Sequence, residues 1–345
     1  MSSAERRQMT LVAFLQAQNC SNFPGSWRHA ESSSDFMTAG YYQRIAQVLE
    51  AGKFDLAFFD DRLAMPDRYG DDFVESVRNG VRVVKMDLVP LMTAMGLASR
   101  HLGIGGTYST TYYHPYHVAR TFATLDHMLG GRVAWNVVTS LNDSEAANFG
   151  QSSHIEHDLR YDMADEFMEA VLGHWDTWED GAVLFDKEQD VFADPTKVHP
   201  LNYEGRWIRS RGPFTVPRTP QGRPVIIQAG QSGRGRRFAA RWAELMFVIF
   251  QNKAYGQREY REVRAAVEAI GRNPNQVKQL PAVYCITGET RTIAEEKHKY
   301  IEQLFRPIDA LALLSEVLNF DFATKGMDDA WSDEELASIS GLQGM

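Results

Sequence analysis

Short apolar runs alternate along the chain with longer stretches in which apolar residues recur at helical spacing. The short runs are rich in β-branched and aromatic residues, which is typical of buried strands. We predict seven strands, at Thr10–Gln16, Phe54–Phe59, Leu102–Thr107, Arg132–Thr139, Pro224–Ala229, Leu245–Ile249 and Pro281–Thr287. Most of them are followed by a predicted helix, of which Tyr161–Trp175 has the clearest spacing. This alternation predicts parallel βα units, in a doubly wound sheet or a (β/α)₈ barrel.

The length and the even composition favour the barrel. The chain has 345 residues without a repeat or a flexible linker, so we predict a single α/β domain over residues 1–345. Residues 178–223 are predicted to be an insertion between a helix and a strand, since they hold five of the 13 prolines. Residues 306–345 contain no convincing strand and are predicted to be irregular, so the last strand–helix unit is expected to be missing.

Charge and composition narrow the function classes. Lys and Arg number 36 against 45 Asp and Glu, and a formal charge of −9 disfavours a nucleic-acid binder. No apolar run approaches the roughly 20 residues that cross a bilayer, and residues 1–16 suit a first strand better than a signal peptide. Two cysteines, Cys20 and Cys285, do not make a disulfide framework. We therefore expect a cytoplasmic protein with no membrane partner.

In a barrel, ligands bind where the strands end and the βα loops begin. The polar residues at these predicted strand ends are Asp60, Asp61, Thr107, Asn136, Thr139, Ser140, Gly230 and Ser232. Asp60 and Asp61 suit acid–base chemistry or ligand binding, although a helix N-cap or a plain loop is commoner for such a pair.

A glycine-rich turn, Gly230–Gly235, lies between a predicted strand and a predicted helix. Glycines allow a ligand to approach the backbone, and a helix N-terminus attracts phosphate. Ser232 adds a hydroxyl and Arg234, Arg236 and Arg237 add charge. The turn matches neither G-x-G-x-x-G nor G-x-S-x-G, which disfavours a dinucleotide fold and an α/β hydrolase. A phosphate site and a tight turn with solvated arginines are equally compatible with the residues alone.

The histidines near residue 155 suit a metal site poorly. His154, Glu156 and His157 do not have the H-E-x-x-H spacing, so no metal is expected. His157 and Tyr161 are four residues apart and share one helix face. They either present an imidazole and a phenol to a ligand or form a surface pair.

Several longer strings resemble one enzyme family. They are Tyr112–Arg120 (YYHPYHVAR), Gly130–Ser140 (GGRVAWNVVTS), His157–Tyr161 (HDLRY) and Gln228–Ser232 (QAGQS). With further colinear matches over roughly residues 8–300, they resemble the bacterial-luciferase-like flavin monooxygenases. The branch is that of nitrilotriacetate monooxygenase component A and dibenzothiophene-sulfone monooxygenase. Ser140–Asp143 (SLND) and Arg234–Ala239 (RGRRFA) resemble the sulfone-oxidising members most.

The resemblance implies a (β/α)₈ barrel that takes reduced FMN from a separate NAD(P)H:FMN oxidoreductase and uses O₂ as co-substrate. It also implies that the chain is a homo-oligomer. The flavin contacts that it implies are Asp61, Thr107, Asn136, His157, Tyr161, Gly230, Gln231 and Ser232. Among these, His157, Tyr161 and Asn136 are the candidates for a catalytic role. A truncated flavin-binding barrel without turnover remains an alternative.

The substrate is expected to be a small organosulfur compound of the aryl-sulfone kind. Phe14, Phe58 and Phe247 lie near predicted strand ends and suit an apolar slot for a flat aromatic. An aminopolycarboxylate, the alternative, needs several converging arginines, and the dense cluster at residues 234–237 is already used by the phosphate turn.

Overall fold

The computed structural model describes residues 9–337 and 339. Its strands are β1 (Val12–Gln16), β2 (Leu56–Asp60), β3 (Gly103–Ser109), β4 (Val133–Val138), β5 (Val183–Asp186), β6 (Val191–Ala193), β7 (Tyr203–Glu204), β8 (Arg209–Ser210), β9 (Val225–Gln228), β10 (Leu245–Val248) and β11 (Lys278–Pro281). Its α-helices are α1 (Ala39–Ala51), α2 (Val74–Asn79), α3 (Leu88–Leu97), α4 (Pro115–Met128), α5 (Asp143–Asn148), α6 (His157–Trp175), α7 (Gly233–Trp242), α8 (Lys253–Ala269), α9 (Arg291–Gln303), α10 (Pro307–Leu318) and α11 (Asp333–Ala337).

Seven strands form one parallel sheet in the order β1-β2-β3-β4-β9-β10-β11. In a flat sheet β1 and β10 would lie roughly 24 Å apart, five strand spacings of about 4.8 Å. The ring centroids of Phe14 on β1 and Phe247 on β10 are only 4.9 Å apart. The sheet is therefore curled like the wall of a barrel, with these rings inside. Among the described residues, β1 and β11 each pair on one side only.

The main core lies between the outer face of the sheet and the helices. Trp135 on β4 is fully buried, and its ring lies 5.6 Å from Phe122 of α4 and 6.4 Å from Trp175 of α6. Leu and Met side chains of α3 extend the same layer over β3. The alternation along each strand thus directs one set of side chains to the helices and the other to the barrel interior.

Six of the seven predicted strands coincide largely with strands of the sheet, but the seventh is placed wrongly and shares only Pro281 with β11. The structure pairs Lys278–Pro281 with β10, from Leu245↔Lys278 to Val248↔Pro281. Because β10 has only four residues, the pairing ends at Pro281. The apolar residues Val283 and Tyr284 of the predicted strand lie beyond the sheet and are exposed.

Two further segments differ in detail from the sequence prediction. Helix α6 begins at His157, four residues before the predicted start, because the Glu156 carboxylate accepts hydrogen bonds from the first backbone N–H groups. Residues 306–345 are not irregular throughout, since α10 occupies Pro307–Leu318. The insertion at residues 178–223 forms two small antiparallel sheets, β5–β6 and β7–β8, outside the main sheet.

Helix α10 lies against loops at the carboxyl end of the first strands. Asp309 is fully buried, and its carboxylate accepts hydrogen bonds from both terminal nitrogens of Arg28, at 2.6 and 3.0 Å. The amide of Asn142 donates to the backbone carbonyl of Glu316 at 3.0 Å. In the part of the chain that the structure describes, no helix is both long and apolar enough to cross a membrane.

Candidate active site

Thr107 and Asn136 form a buried polar pair at the carboxyl end of the sheet. They are register partners on β3 and β4, and the Asn136 amide donates to the Thr107 hydroxyl at 2.7 Å. The hydroxyl in turn donates to the carbonyl of Phe59 at 2.6 Å. The other polar atom of the amide, Asn136 Oδ1, is buried without a hydrogen-bond partner among the described residues. A buried acceptor left unpaired is costly, and it suits a ligand that brings an N–H or O–H donor.

An apolar layer lies below this pair inside the barrel. The rings of Phe14, Phe58 and Phe247 contact one another, with centroids 4.9 to 5.7 Å apart. Gly105, two residues before Thr107, faces the same layer, because a Cβ built on it would lie 2.9 Å from that of Phe58. The three predicted substrate residues are therefore brought together, although Phe58 is almost fully buried.

On the other side of β9, the glycine turn packs against the first turns of α6. His157 and Tyr161 lie on one face, with ring centroids 5.2 Å apart. The Ser232 hydroxyl lies 3.3 Å from His157 Nε2 and accepts a hydrogen bond from the backbone N–H of Gly235. Ser232 is thus the N-cap of α7, whose first N–H groups point away from the helix beside the imidazole.

The close approach of Tyr161 explains two of the glycines. A Cβ on Gly230 would lie 2.4 Å from the Tyr161 hydroxyl, and one on Gly235 would lie 2.8 Å from it. A Cβ on Gly233 would meet no atom within 4 Å. The turn therefore needs glycine at positions 230 and 235 for packing, whereas a side chain at position 233 would meet no neighbouring atom.

The Gln228 side chain beside Tyr161 carries a second acceptor without a partner among the described residues. The Tyr161 hydroxyl lies 3.5 Å from Gln228 Nε2, while Gln228 Oε1 is buried with no hydrogen-bond partner within residues 9–337. Burial raises the pKa of Tyr161, so the phenol stays protonated at neutral pH. The edge of the sheet therefore offers a phenol donor and an amide next to the helix end.

The arginines of the turn do not have the role that their sequence suggests. Arg234 Nη2 lies 2.9 Å from Asp162 and 2.6 Å from Asp165 of α6. Arg236 pairs with Glu259 at 2.8 Å and with Glu262 at 2.5 Å on α8. These carboxylates neutralise the guanidinium groups of Arg234 and Arg236, while Arg237 is exposed, so the groups of the turn next to His157 are the hydroxyl of Ser232 and the first backbone N–H groups of α7.

Asp61 stands at the opposite end of the site, after β2. Burial raises the pKa of its carboxyl group to about 7, and the positive charge of Lys85 opposes that shift only in part. A cavity of about 360 Å³ opens beside it. Its walls come from the loop after β2, the segment before α3, the βα loop after β3 and the end of α5: Asp61, Arg62, Leu63, Ala64, Met65, Arg82, Val83, Lys85, Met86, Asp87, Tyr113 and Asn148.

Three cations of this cavity were missed by the sequence reasoning. Arg62, Arg82 and Lys85 come from loops spread over more than 20 residues, and no motif marks them. Arg82 has a positive φ of 50°, a conformation that residues other than glycine rarely adopt. Only the folded loops bring these side chains together, so the turn at residues 234–237 is not the sole place where cations converge.

The histidines do not form a metal centre with their neighbours. His154 Nδ1 lies 2.9 Å from the Tyr112 hydroxyl, Glu156 caps α6, and His157 Nδ1 lies 2.6 Å from Asp158. Within residues 9–337 no group of three His, Cys, Asp or Glu side chains is arranged to hold a metal ion. Burial and the nearby Arg160 lower the pKa of His154, so its imidazole is neutral at physiological pH.

Comparison with known proteins gives matches over almost the whole chain. The luciferase-like monooxygenase family profile matches residues 18–340. The chain is 48% identical to the dibenzothiophene-sulfone monooxygenase of Rhodococcus erythropolis over 330 residues, which are 95% of this chain and 73% of that enzyme.

Solved structures of related enzymes have the same fold as this chain. A long-chain alkane monooxygenase superposes with a TM-score of 0.91 and 35% identity, covering 98% of this chain and 79% of that one. A riboflavin lyase, solved with modified FMN and riboflavin, gives a TM-score of 0.88 at 32% identity over 97% of this chain and 77% of its own.

Proposed function

The chain belongs to the luciferase-like monooxygenase family, and from this premise we propose that it oxygenates an aryl-sulfone-like compound with reduced FMN and O₂. A separate NAD(P)H:FMN oxidoreductase is proposed to supply the reduced flavin. The observation that carries the proposal is the glycine turn, where Ser232, His157 and the N-terminus of α7 converge beside the carboxyl end of the sheet.

The residues present fit an FMN molecule along this edge. The end of α7 with Ser232 and His157 suits the phosphate, because backbone N–H groups and the helix dipole favour an anion. Asn136 Oδ1 and Gln228 Oε1 are buried acceptors without a partner in the described part of the chain, and they suit the hydroxyl and N–H groups of a flavin. Asp61, Thr107, Tyr161 and Gln231 complete the proposed contacts, although Thr107 and Tyr161 act partly through neighbouring amides.

When bound, reduced FMN supplies two electrons, so that one oxygen atom of O₂ reaches the substrate and the other leaves as water. The protein's own contribution is to position the flavin and the substrate and to exclude water. An apolar layer that excludes water lies below the Thr107–Asn136 pair and consists of Phe14, Phe58 and Phe247. The proposed catalytic residues are His157, Tyr161 and Asn136. Tyr161 is proposed to act as a proton donor.

The substrate proposal follows the similarity to a dibenzothiophene-sulfone monooxygenase. An apolar barrel interior with three aromatic rings suits a flat aromatic compound. A second candidate, flavin binding without turnover, is favoured by the sheet, whose strands β1 and β11 each lack a partner on one side within the described residues.

Isotope labelling distinguishes the two candidates. The chain is mixed with a flavin reductase, NADH, FMN, diphenyl sulfone and ¹⁸O₂, and the product is analysed by mass spectrometry. The oxygenase proposal predicts one ¹⁸O atom in each product molecule. Flavin binding without turnover predicts no product, with NADH consumed at the rate of the reductase alone.

A further inference from the structure

The cavity beside Asp61 is lined by a largely buried arginine, Arg82, whose hydrogen bonds within the described residues are incomplete. The side chain of Arg82 is 12% exposed. Its Nη1 lies 3.9 Å from Glu316 of α10, and its Nη2 lies 3.3 Å from Asn22. Arg82 Nε is buried and has no hydrogen-bond partner among the described residues. A buried guanidinium with an unused N–H is costly unless another acceptor completes its set.

The other cations of the cavity are better satisfied. Arg62 donates to Asn142 Oδ1 at 2.9 Å, and Lys85 donates to Asp60 at 3.0 Å. Both therefore already hold an acceptor within normal hydrogen-bond distance. Of the three cations, Arg82 is the one with a buried side-chain nitrogen that has no hydrogen-bond partner among the described residues, and its planar fork suits a group that carries two oxygen atoms.

The charges around the cavity favour a neutral ligand group over an anion. The positive charges of Arg62, Arg82 and Lys85 are opposed by Asp60, Asp87 and Glu316, and Asp61 adds part of a further negative charge near pH 7. A carboxylate would add a negative charge to a site that is already balanced. A sulfonyl group offers two strong acceptor oxygens without a net charge.

The remaining walls suit one of the two aryl groups of such a molecule, and the other is assigned to the aromatic layer of Phe14, Phe58 and Phe247, of which Phe58 lies on the strand that leads to Asp61. Leu63, Met65, Val83, Met86 and Tyr113 give the cavity apolar and aromatic surface. Resting on the proposed oxygenase function, we infer that Arg82 is a specificity-determining residue that binds the sulfonyl oxygens of the substrate in this cavity. The guanidinium of Arg82, which lines the cavity, donates hydrogen bonds to the sulfonyl oxygens.

A matched pair of ligands tests this inference without turnover. Diphenyl sulfone and diphenyl sulfide differ only in the two sulfonyl oxygens, and their affinities are measured by titration against the chain with oxidised FMN. We expect the sulfone to bind roughly tenfold more tightly than the sulfide. Arg82→Met should reduce that ratio to about one, by weakening sulfone binding and leaving sulfide binding unchanged.

Two controls separate recognition from structure. Arg78→Met removes an exposed arginine that pairs with Glu75 on α2, and it should leave the ratio unchanged. Glu316→Gln removes the negative charge next to Arg82 but keeps its size, so a merely structural role in holding α10 would appear in its melting temperature. The sulfone preference should survive this change.

A conservative variant covers the case in which Arg82→Met does not fold. Arg82→Lys keeps the charge but not the fork, and we expect it to lose at least about threefold of the preference. An unchanged ratio in the folded variants, or no preference in the wild type, overturns the inference. The FMN affinity of the same samples tests the proposed function. The inference about Arg82 is tested separately, by titrating the sulfone and the sulfide against the chain without flavin.

Discussion

The two halves of the site at the carboxyl ends of the strands differ in how their arginines are paired. In the glycine-turn half (residues 230–235 with His157 and Tyr161), Arg234 and Arg236 are neutralised by carboxylates of neighbouring helices, and backbone N–H groups face the ligand space. In the arginine half (the cavity beside Asp61), Arg82 is buried with an unused donor. The first half suits a full anion and the second a neutral polar group, so the distribution of arginines alone does not locate the anion site.

The largest expected effect comes from the packing of the glycine turn. Gly230→Ala places a methyl group 2.4 Å from the Tyr161 hydroxyl and 2.5 Å from Gln228 Nε2, so the turn has to move away from α6. We expect FMN affinity to fall by roughly a hundredfold, as overpacking typically costs about 1–3 kcal/mol. Fluorescence titration of FMN measures the change.

The matched control lies three residues further along. Gly233→Ala adds the same methyl group where no atom lies within 4 Å, and it does not require a positive φ. Its FMN affinity should stay within about threefold of the wild type. Equal losses in both variants would contradict the account, because the loss would then not depend on contact with Tyr161.

A smaller effect is expected in the arginine half, from the ionisation of Asp61. The pKa of this carboxyl group is raised to about 7 in the folded protein, against an ordinary value of 3.8. A raised pKa in an acid means that its stabilising contribution is complete below about pH 4 and is lost as the pH rises through 7.

Asp61→Asn removes this titration. Between pH 4.5 and 7.5 the free energy of unfolding of the wild type should fall, relative to the variant, by on the order of 2 kcal/mol. Urea unfolding of both proteins at several pH values measures the difference. Parallel pH profiles would show that the Asp61 carboxyl group is as well solvated in the folded chain as in the unfolded one.

The glycine turn was accessible to sequence reasoning because its geometry is local. A strand that ends at Gln228, four connecting residues and a helix that begins at Gly233 fix where the N–H groups of α7 point, so Gly230 and Ser232 could be recognised from their order along the chain. The same reasoning misread Arg234, since its partners Asp162 and Asp165 lie about 70 residues away. Long-range ion pairs leave no mark in local spacing.

The arginine half could not be read in this way. Its walls come from two loops of irregular structure, one residue of a third loop and the last residue of α5, and Arg82 takes a backbone conformation that no pattern of apolar residues predicts. The position of β11 shows the same limit. The apolar run at residues 281–287 is typical of a strand, but the length of β10 decides where pairing ends.

The most direct test of the central claim compares FMN with riboflavin, which lacks the phosphate, in Ser232→Asp. Aspartate caps a helix as well as serine does, so the turn should fold, but its charge repels a phosphate. Ser232→Asn is the neutral control. We predict that Ser232→Asp weakens FMN binding by more than roughly tenfold and leaves riboflavin affinity and the circular dichroism spectrum unchanged. Equal affinity for FMN in Ser232→Asp and Ser232→Asn would contradict the claim that this turn binds the flavin phosphate.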